Sequence, residues 1–124
     1  MVNILILGAA GFIGTNLVKT LAADKNNNIT LVDVSVDYFN DIKTLQLSNI
    51  DIVESEFNEH TDFDSLLKGQ DVVYHLVSTT VPTNSNQQIP LELSSNVVVT
   101  AMMLDACVRC GIKKVIFISS GGTV

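Results

Sequence analysis

Three glycines at three-residue intervals, Gly8, Gly11 and Gly14, stand between the apolar run Ile4–Leu7 and a stretch with helical periodicity. A strand that turns at once into a helix needs glycine wherever backbone must pass close to something else. Gly8 permits the tight turn, Gly11 lets a pyrophosphate approach the backbone, and Gly14 lets the helix lie close on the strand. Phe12 and Ile13 open that helix, whose free N–H groups and positive dipole end then face the phosphates. The favourable effect is about 0.3–1 kcal/mol per charge. Alone, a glycine triplet is weak evidence; its place directly after a strand and at the start of a helix gives it weight. Gly8, Gly11, Phe12, Ile13 and Gly14 are therefore candidate phosphate-binding residues.

The same alternation continues along the chain. Ile29–Val32, Ile50–Val53, Val72–Leu76 and Val115–Ile118 join Ile4–Leu7 as short, β-branched, nearly continuous apolar runs. Parallel strands covered on both faces read this way. Helical patterns lie between them: Gly11–Ala23, a weaker one near Tyr38–Leu47, a short one at Asp62–Leu67, and a long one from about Leu91 to Cys110. Gly111 follows the last at a C′ position. The pattern predicts an α/β fold, a Rossmann-type doubly wound parallel sheet ordered 3-2-1-4-5. The polar stretch Thr79–Gln88 is read as a loop after the fourth strand. No closing helix follows the fifth run, so residues 1–124 are read as one incomplete domain, truncated after that strand.

Asp33 closes the second strand, about 20 residues beyond the glycines, where a carboxylate accepts hydrogen bonds from the 2′- and 3′-hydroxyls of an adenosine ribose. A 2′-phosphate there is repelled: two like unit charges about 4 Å apart cost roughly 4 kcal/mol at an effective dielectric of 20. No Lys or Arg between Val34 and Ile42 offsets this. NAD is thus preferred over NADP.

Composition removes several other classes. The net charge is −6 and the seven Lys and Arg are scattered, with only Lys113 and Lys114 adjacent, which argues against a nucleic-acid or anionic-membrane surface. No apolar run approaches the roughly 18 residues of a membrane span. The N-terminus has no basic n-region before an apolar segment, so a cytoplasmic location is expected. With 47% hydrophobic residues among 124, a real core is affordable for one domain. Cys107 and Cys110 form a C-x-x-C, but zinc needs about four ligands and no second pair exists. His60 and His75 flank no matching motif, so the cysteines are read as packing and no metal is assigned.

The G-x-x-G-x-x-G spacing resembles the extended short-chain dehydrogenase/reductase family, and within it the NAD-dependent nucleotide-sugar epimerases and dehydratases of the UDP-glucose 4-epimerase type. The likeness runs through Asp33, Glu56-Phe57, His75-Leu76-Val77-Ser78, Asn96-Val97 and Phe117-Ile118-Ser119-Ser120-Gly121-Gly122-Thr123-Val124. It implies that Glu56 and Phe57 sit at the adenine and that Leu76, Val77 and Ser78 line the nicotinamide-side ribose. It also implies that Asn96 ties strand ends together beneath the cofactor, with Ser119 in the cofactor-binding set. His75 is expected to pack or bond backbone rather than react.

Catalysis in that family uses a Tyr-x-x-x-Lys helix and a Ser or Thr. The lysine lowers the tyrosine pKa, and the phenolate takes a substrate hydroxyl proton as hydride leaves to NAD. This chain has Tyr38 and Tyr74 but no Tyr-x-x-x-Lys, and the usual hydroxyl position falls on Gly121. Thr123 is the first candidate for that hydroxyl and Ser120 the second. The expected parent is a nucleotide-sugar epimerase: transient oxidation at a sugar carbon, rotation of the keto sugar, and hydride return to the other face. A dehydratase or reductase of the same family, and a non-catalytic NAD-binding sensor, are the alternatives. A Tyr-x-x-x-Lys encoded about 25 residues downstream favours the enzyme, a stop codon the sensor.

One further expectation concerns the long helix. Val97, Val98, Ala101, Met102, Met103, Leu104, Ala106 and Val108 spread over more than one stripe, as in a helix buried on two sides. One side faces the sheet; the family resemblance implies a homodimer through residues 91–110 on the other, with cover by a missing domain as the alternative. The ribose assignment is directly testable. Asp33→Ala should weaken NAD binding and relax discrimination against NADP in calorimetric titrations, whereas an unchanged NAD/NADP preference removes Asp33 from that role.

Overall fold

A computed structural model of the chain describes residues 2–34, 36–44, 47–77 and 89–117. Five strands form a single parallel sheet: β1 (Val2–Leu7), β2 (Asn27–Asp33), β3 (Ile50–Glu54), β4 (Val72–His75) and β5 (Lys114–Phe117). Their spatial order is β3-β2-β1-β4-β5, as the alternation of strands and helices predicts. The helices are α1 (Phe12–Ala22), α2 (Asn40–Thr44, entered through a 3₁₀ turn at Val36–Phe39), α3 (Phe63–Leu67) and α4 (Ile89–Cys110).

Strand periodicity explains why the runs are nearly continuously apolar, with Thr30 and Asp51 among the polar exceptions. Ile4 and Ile6 of β1, with Ile29 and Leu31 of β2, face Val18 and Ala22 of α1 and the α2 segment through Phe39 and Ile42. Their neighbours Leu5, Leu7, Val32 and Val73 face the opposite way, onto Phe63 and Leu67 of α3 and Met103, Ala106 and Cys107 of α4. Successive residues thus enter different cores, and each large side chain removed from water contributes about 1.5–3 kcal/mol. The weak helical pattern after β2 resolves into the 3₁₀ turn and a short helix because Phe39 and Ile42 are buried there.

Polar staples set the ends of the elements. Asp71 accepts the Asn3 N–H at 2.9 Å on its carboxylate and donates its own N–H to the Asn3 carbonyl at 2.8 Å. The Lys113 N–H donates to the Asp71 carbonyl at 2.9 Å, so one residue aligns the entries of β1, β4 and β5. The Asn3 hydrogen bond holds the Asp71 carboxyl below the usual carboxylate range, with Lys113 adding to it against partial desolvation. Asp62 caps α3 by accepting from the Ser65 N–H and hydroxyl, and those two bonds lower its pKa. At the end of α4, Gly111 takes φ +73°; its N–H donates to the Val108 carbonyl and that of Ile112 to the Cys107 carbonyl, a Schellman close.

Some boundaries differ from the sequence expectation. β4 ends at His75 and Leu76 already lies beyond the strand, β5 begins one residue early at Lys114, and Ile118 lies outside the described residues. α4 begins at Ile89 rather than Leu91. Its apolar surface does not bury on two sides within this chain: Met103, Ala106 and Cys107 are buried, while Val97 is 66% and Val108 81% exposed. Cys107 is a free thiol, 3.5 Å from the Met103 sulfur, and burial pushes its pKa up, with Cys110 adding to the effect. Among the described residues no helix is long and apolar enough to cross a membrane, and no three His, Cys, Asp or Glu are placed to hold a metal.

Candidate functional site

The parallel register aligns Val53, Val32, Leu7, His75 and Phe117 in one row across the sheet. Just past this row the chain leaves each strand at the same level. β1 hands on to β2 on one side, whereas β4 lies on its other side, so the strand order reverses at β1 and a crevice lies there at the carboxyl ends. That crevice has a volume of about 390 Å³ and is lined by Gly8, Gly11, Asp33, Val34, Phe57, Leu76 and Val77.

The turn after β1 is held by close contacts that exclude side chains. Gly8 has φ +78°, and a Cβ there would stand 2.9 Å from the Val77 nitrogen, so the loop after β4 passes directly against it. At Gly14 a Cβ would stand 2.4 Å from the Ala9 carbonyl oxygen. The helix therefore closes tightly on the turn that directly follows β1. Gly11 differs from both. Its nearest neighbour to an added Cβ is the Gly8 oxygen at 4.0 Å, so that position opens on the crevice.

Hydrogen bonds decide which amides remain for a ligand. The Gly8 and Ala9 N–H groups both donate to the Val32 carbonyl, at 2.8 and 3.2 Å. The Ala10 N–H donates to Asp33 Oδ2 at 3.0 Å, and the Val34 N–H to Asp33 Oδ1 at 2.7 Å. The first helical bond runs from the Thr15 N–H to the Gly11 carbonyl at 2.9 Å. Helix geometry leaves the preceding Phe12, Ile13 and Gly14 N–H groups without acceptors inside the helix. Gly11 caps α1 without a side-chain bond, and the first turn holds no acidic residue. A helix start without its own anion is suited to a phosphate. The cradle fits a dinucleotide: open backbone at Gly11 for the diphosphate, and a carboxylate at the end of β2 for a diol.

Of the sequence-predicted residues, Gly8, Gly11, Asp33, Phe57, Leu76 and Val77 come together on the crevice wall. Gly14 is buried behind the turn, and Ile13 is exposed on the first helical turn. Glu56 is not part of the wall; its carboxylate accepts from the Asn58 amide at 3.1 Å and its carbonyl accepts the Thr61 hydroxyl at 2.6 Å. Ser78, Ser119, Ser120, Gly121 and Thr123 lie outside the described residues, as do the side chains of Phe12 and Asn96. His75 packs its ring on Phe117, centroids 5.0 Å apart, and burial lowers its pKa, which favours the neutral imidazole. The sequence reading missed Val34, whose position directly after Asp33 was the available signal, and the bond from Ala10 to Asp33.

A second groove of about 210 Å³ lies between α3 and α4, lined by Asp62, Asp64, Met102, Asp105 and Arg109 among others. Arg109 pairs there with Asp64 at 2.9 Å and with Asp105, so its charges satisfy one another. Both pairs are solvent-exposed and contribute little stability.

Residues 4–124 match the model of the NAD dependent epimerase/dehydratase family. A UDP-glucose 4-epimerase of Mycolicibacterium smegmatis is 32% identical over 97% of this chain and 39% of that protein. A dTDP-D-glucose 4,6-dehydratase of Dictyostelium discoideum is 31% identical over 95% of the chain and 29% of its own length. Among solved structures, UDP-glucuronic acid 4-epimerase of Bacillus cereus, in complex with UDP-glucuronic acid and NAD, superposes with a TM-score of 0.79 at 30% identity. That superposition covers 96% of this chain and 40% of the epimerase. The chain therefore spans about two fifths or less of the length of these relatives.

The glycine geometry separates folding from binding. Gly14→Ala should destabilise the fold by about 1–3 kcal/mol, because backbone must move to admit the methyl group. Gly11→Ala should leave stability within about 0.5 kcal/mol and still weaken NAD binding at least tenfold. Thermal unfolding and calorimetry on the two variants check this; equal loss of stability in both would contradict it.

Proposed function

Because the chain belongs to the NAD dependent epimerase/dehydratase family, we propose that it forms the dinucleotide-binding part of an enzyme that uses NAD to act on a nucleotide sugar. The single observation that carries this reading is the crevice at the reversal of strand order, lined by Gly8, Gly11 and Asp33, with α1 starting at Gly11 without a side-chain cap. In it the Phe12, Ile13 and Gly14 amides bind the diphosphate, Asp33 binds the adenosine ribose, and Val34 with Phe57 offers apolar surface to the adenine. Leu76 and Val77 lie towards the nicotinamide end. When bound, NAD supplies a reversible hydride acceptor. Epimerisation is the favoured reaction, since UDP-sugar epimerases recur among the similar proteins, with dehydration second. Glu56 near the adenine, Ser78, Asn96 and Ser119 at the cofactor, and Thr123 or Ser120 as the catalytic hydroxyl remain part of the proposal.

The outer side of α4 supports a second copy as partner. Val97, Ala101, Leu104 and Val108 recur at alternating four- and three-residue steps and are all exposed. That spacing makes one continuous apolar stripe, the pattern that packs helix against helix.

Two measurements test these readings. Calorimetric titration should show NAD binding weaker than about 1 µM, because residues 1–124 include no Tyr-x-x-x-Lys. For the same reason UDP-glucose should not be epimerised by this chain alone. Absence of any NAD binding, sub-micromolar affinity or measurable turnover would each contradict a stated part. In sedimentation the chain should form dimers that Leu104→Glu converts to monomers; a wild-type chain that stays monomeric at every concentration would rule out the dimer.

A further inference from the structure

Asp33 has two partners before any ligand arrives. Oδ2 accepts the Ala10 N–H at 3.0 Å, and Oδ1 accepts the Val34 N–H at 2.7 Å. An ionised carboxylate offers about four acceptor positions, so capacity remains on both oxygens for a vicinal diol. The other two amides of the turn, Gly8 and Ala9, are held by the Val32 carbonyl, a backbone group that no substitution removes. Ala10 is the turn amide whose partner is a side chain, and it immediately precedes Gly11, the N-cap of α1. A change in the Ala10 peptide therefore propagates into the orientation of the Phe12 and Ile13 amides that begin the helix.

We propose that Asp33 is a positioning residue for the phosphate cradle as well as an acceptor for the ribose: through Ala10 it fixes the turn whose amides meet the diphosphate. One carboxylate then serves both the diol and the diphosphate of the same ligand. The proposal rests on the crevice being a dinucleotide site, and it makes a claim the ribose role alone does not. Part of the contribution of Asp33 must survive when the ligand has no adenosine hydroxyls.

That remainder is measurable with NAD and its 2′,3′-dideoxyadenosine analogue, titrated against the wild-type chain, Asp33→Ala and Asp33→Asn. For the analogue, Asp33→Ala should bind about tenfold more weakly than wild type, the worth of one hydrogen bond to a charged group. Asp33→Asn should lie between wild type and Asp33→Ala, since its single amide oxygen can keep the Ala10 bond while the Val34 N–H loses its acceptor. Equal affinity of wild type and Asp33→Ala for the analogue would overturn the proposal.

Amide hydrogen exchange without ligand gives an independent readout. In Asp33→Ala the Ala10 amide should exchange about tenfold faster or more, while Leu5 and Ile6 in β1 stay protected. Unchanged exchange at Ala10 would overturn the clamp. If Asp33→Ala also loses protection at Leu5 and Ile6, Asp33→Asn decides: a slow Ala10 amide in an intact sheet supports the clamp, and a fast one contradicts it. Should wild type fail to bind NAD, the dinucleotide reading fails, while exchange at Ala10 still decides whether Asp33 holds the turn.

Discussion

The Gly8 and Ala9 amides share the Val32 carbonyl, and the Ala10 amide takes the Asp33 carboxylate. These bonds fold the turn after β1 back onto the end of β2, and the rest of the site follows from that closure. With the first amides consumed inside the protein, the next ones fall at the start of α1, where helix geometry gives them no partner. Gly14 makes the closure sterically possible, since even a methyl group would overlap the Ala9 carbonyl. Gly8 makes room for the loop after β4, which brings Leu76 and Val77 to the opposite wall. The crevice is thus a consequence of how tightly one turn is packed.

Much of this was legible in the sequence because the signals were local. A strand buried on both faces shows as a nearly continuous apolar run, so Ile4–Leu7 and its counterparts mark the strands, and their alternation with helices gives the sheet order. Gly111 predicted the end of α4 for a reason the structure repeats, a positive φ. What could not be read depends on contacts between distant segments. Asp71 bonds Asn3 across the sheet, and nothing in the residues around Asp71 marks it as a staple. The spacing assigns Gly14 to close helix packing, and only the folded turn shows Ala9 as its nearest neighbour. The place of Glu56 at the adenine rests on resemblance alone; in the structure its carboxylate accepts from the Asn58 amide within the same loop.

α4 illustrates a different limit. Its residues are apolar around most of the circumference, and periodicity alone could not assign faces to partners. Packing on α3 and the sheet claims Met103, Ala106 and Cys107, and the remaining stripe from Val97 to Val108 stays exposed. The same helix therefore carries part of the core and an open apolar stripe. Membership of the NAD dependent epimerase/dehydratase family fits both this architecture and the crevice.

Amide chemical shifts followed during titration with NAD show whether the crevice at the ends of β1, β2 and β4 receives a dinucleotide. The largest changes should fall on Gly11 to Gly14, Asp33, Val34, Phe57, Leu76 and Val77. Changes confined to the groove between α3 and α4, at Asp62, Asp64, Asp105 and Arg109, would contradict binding in the crevice.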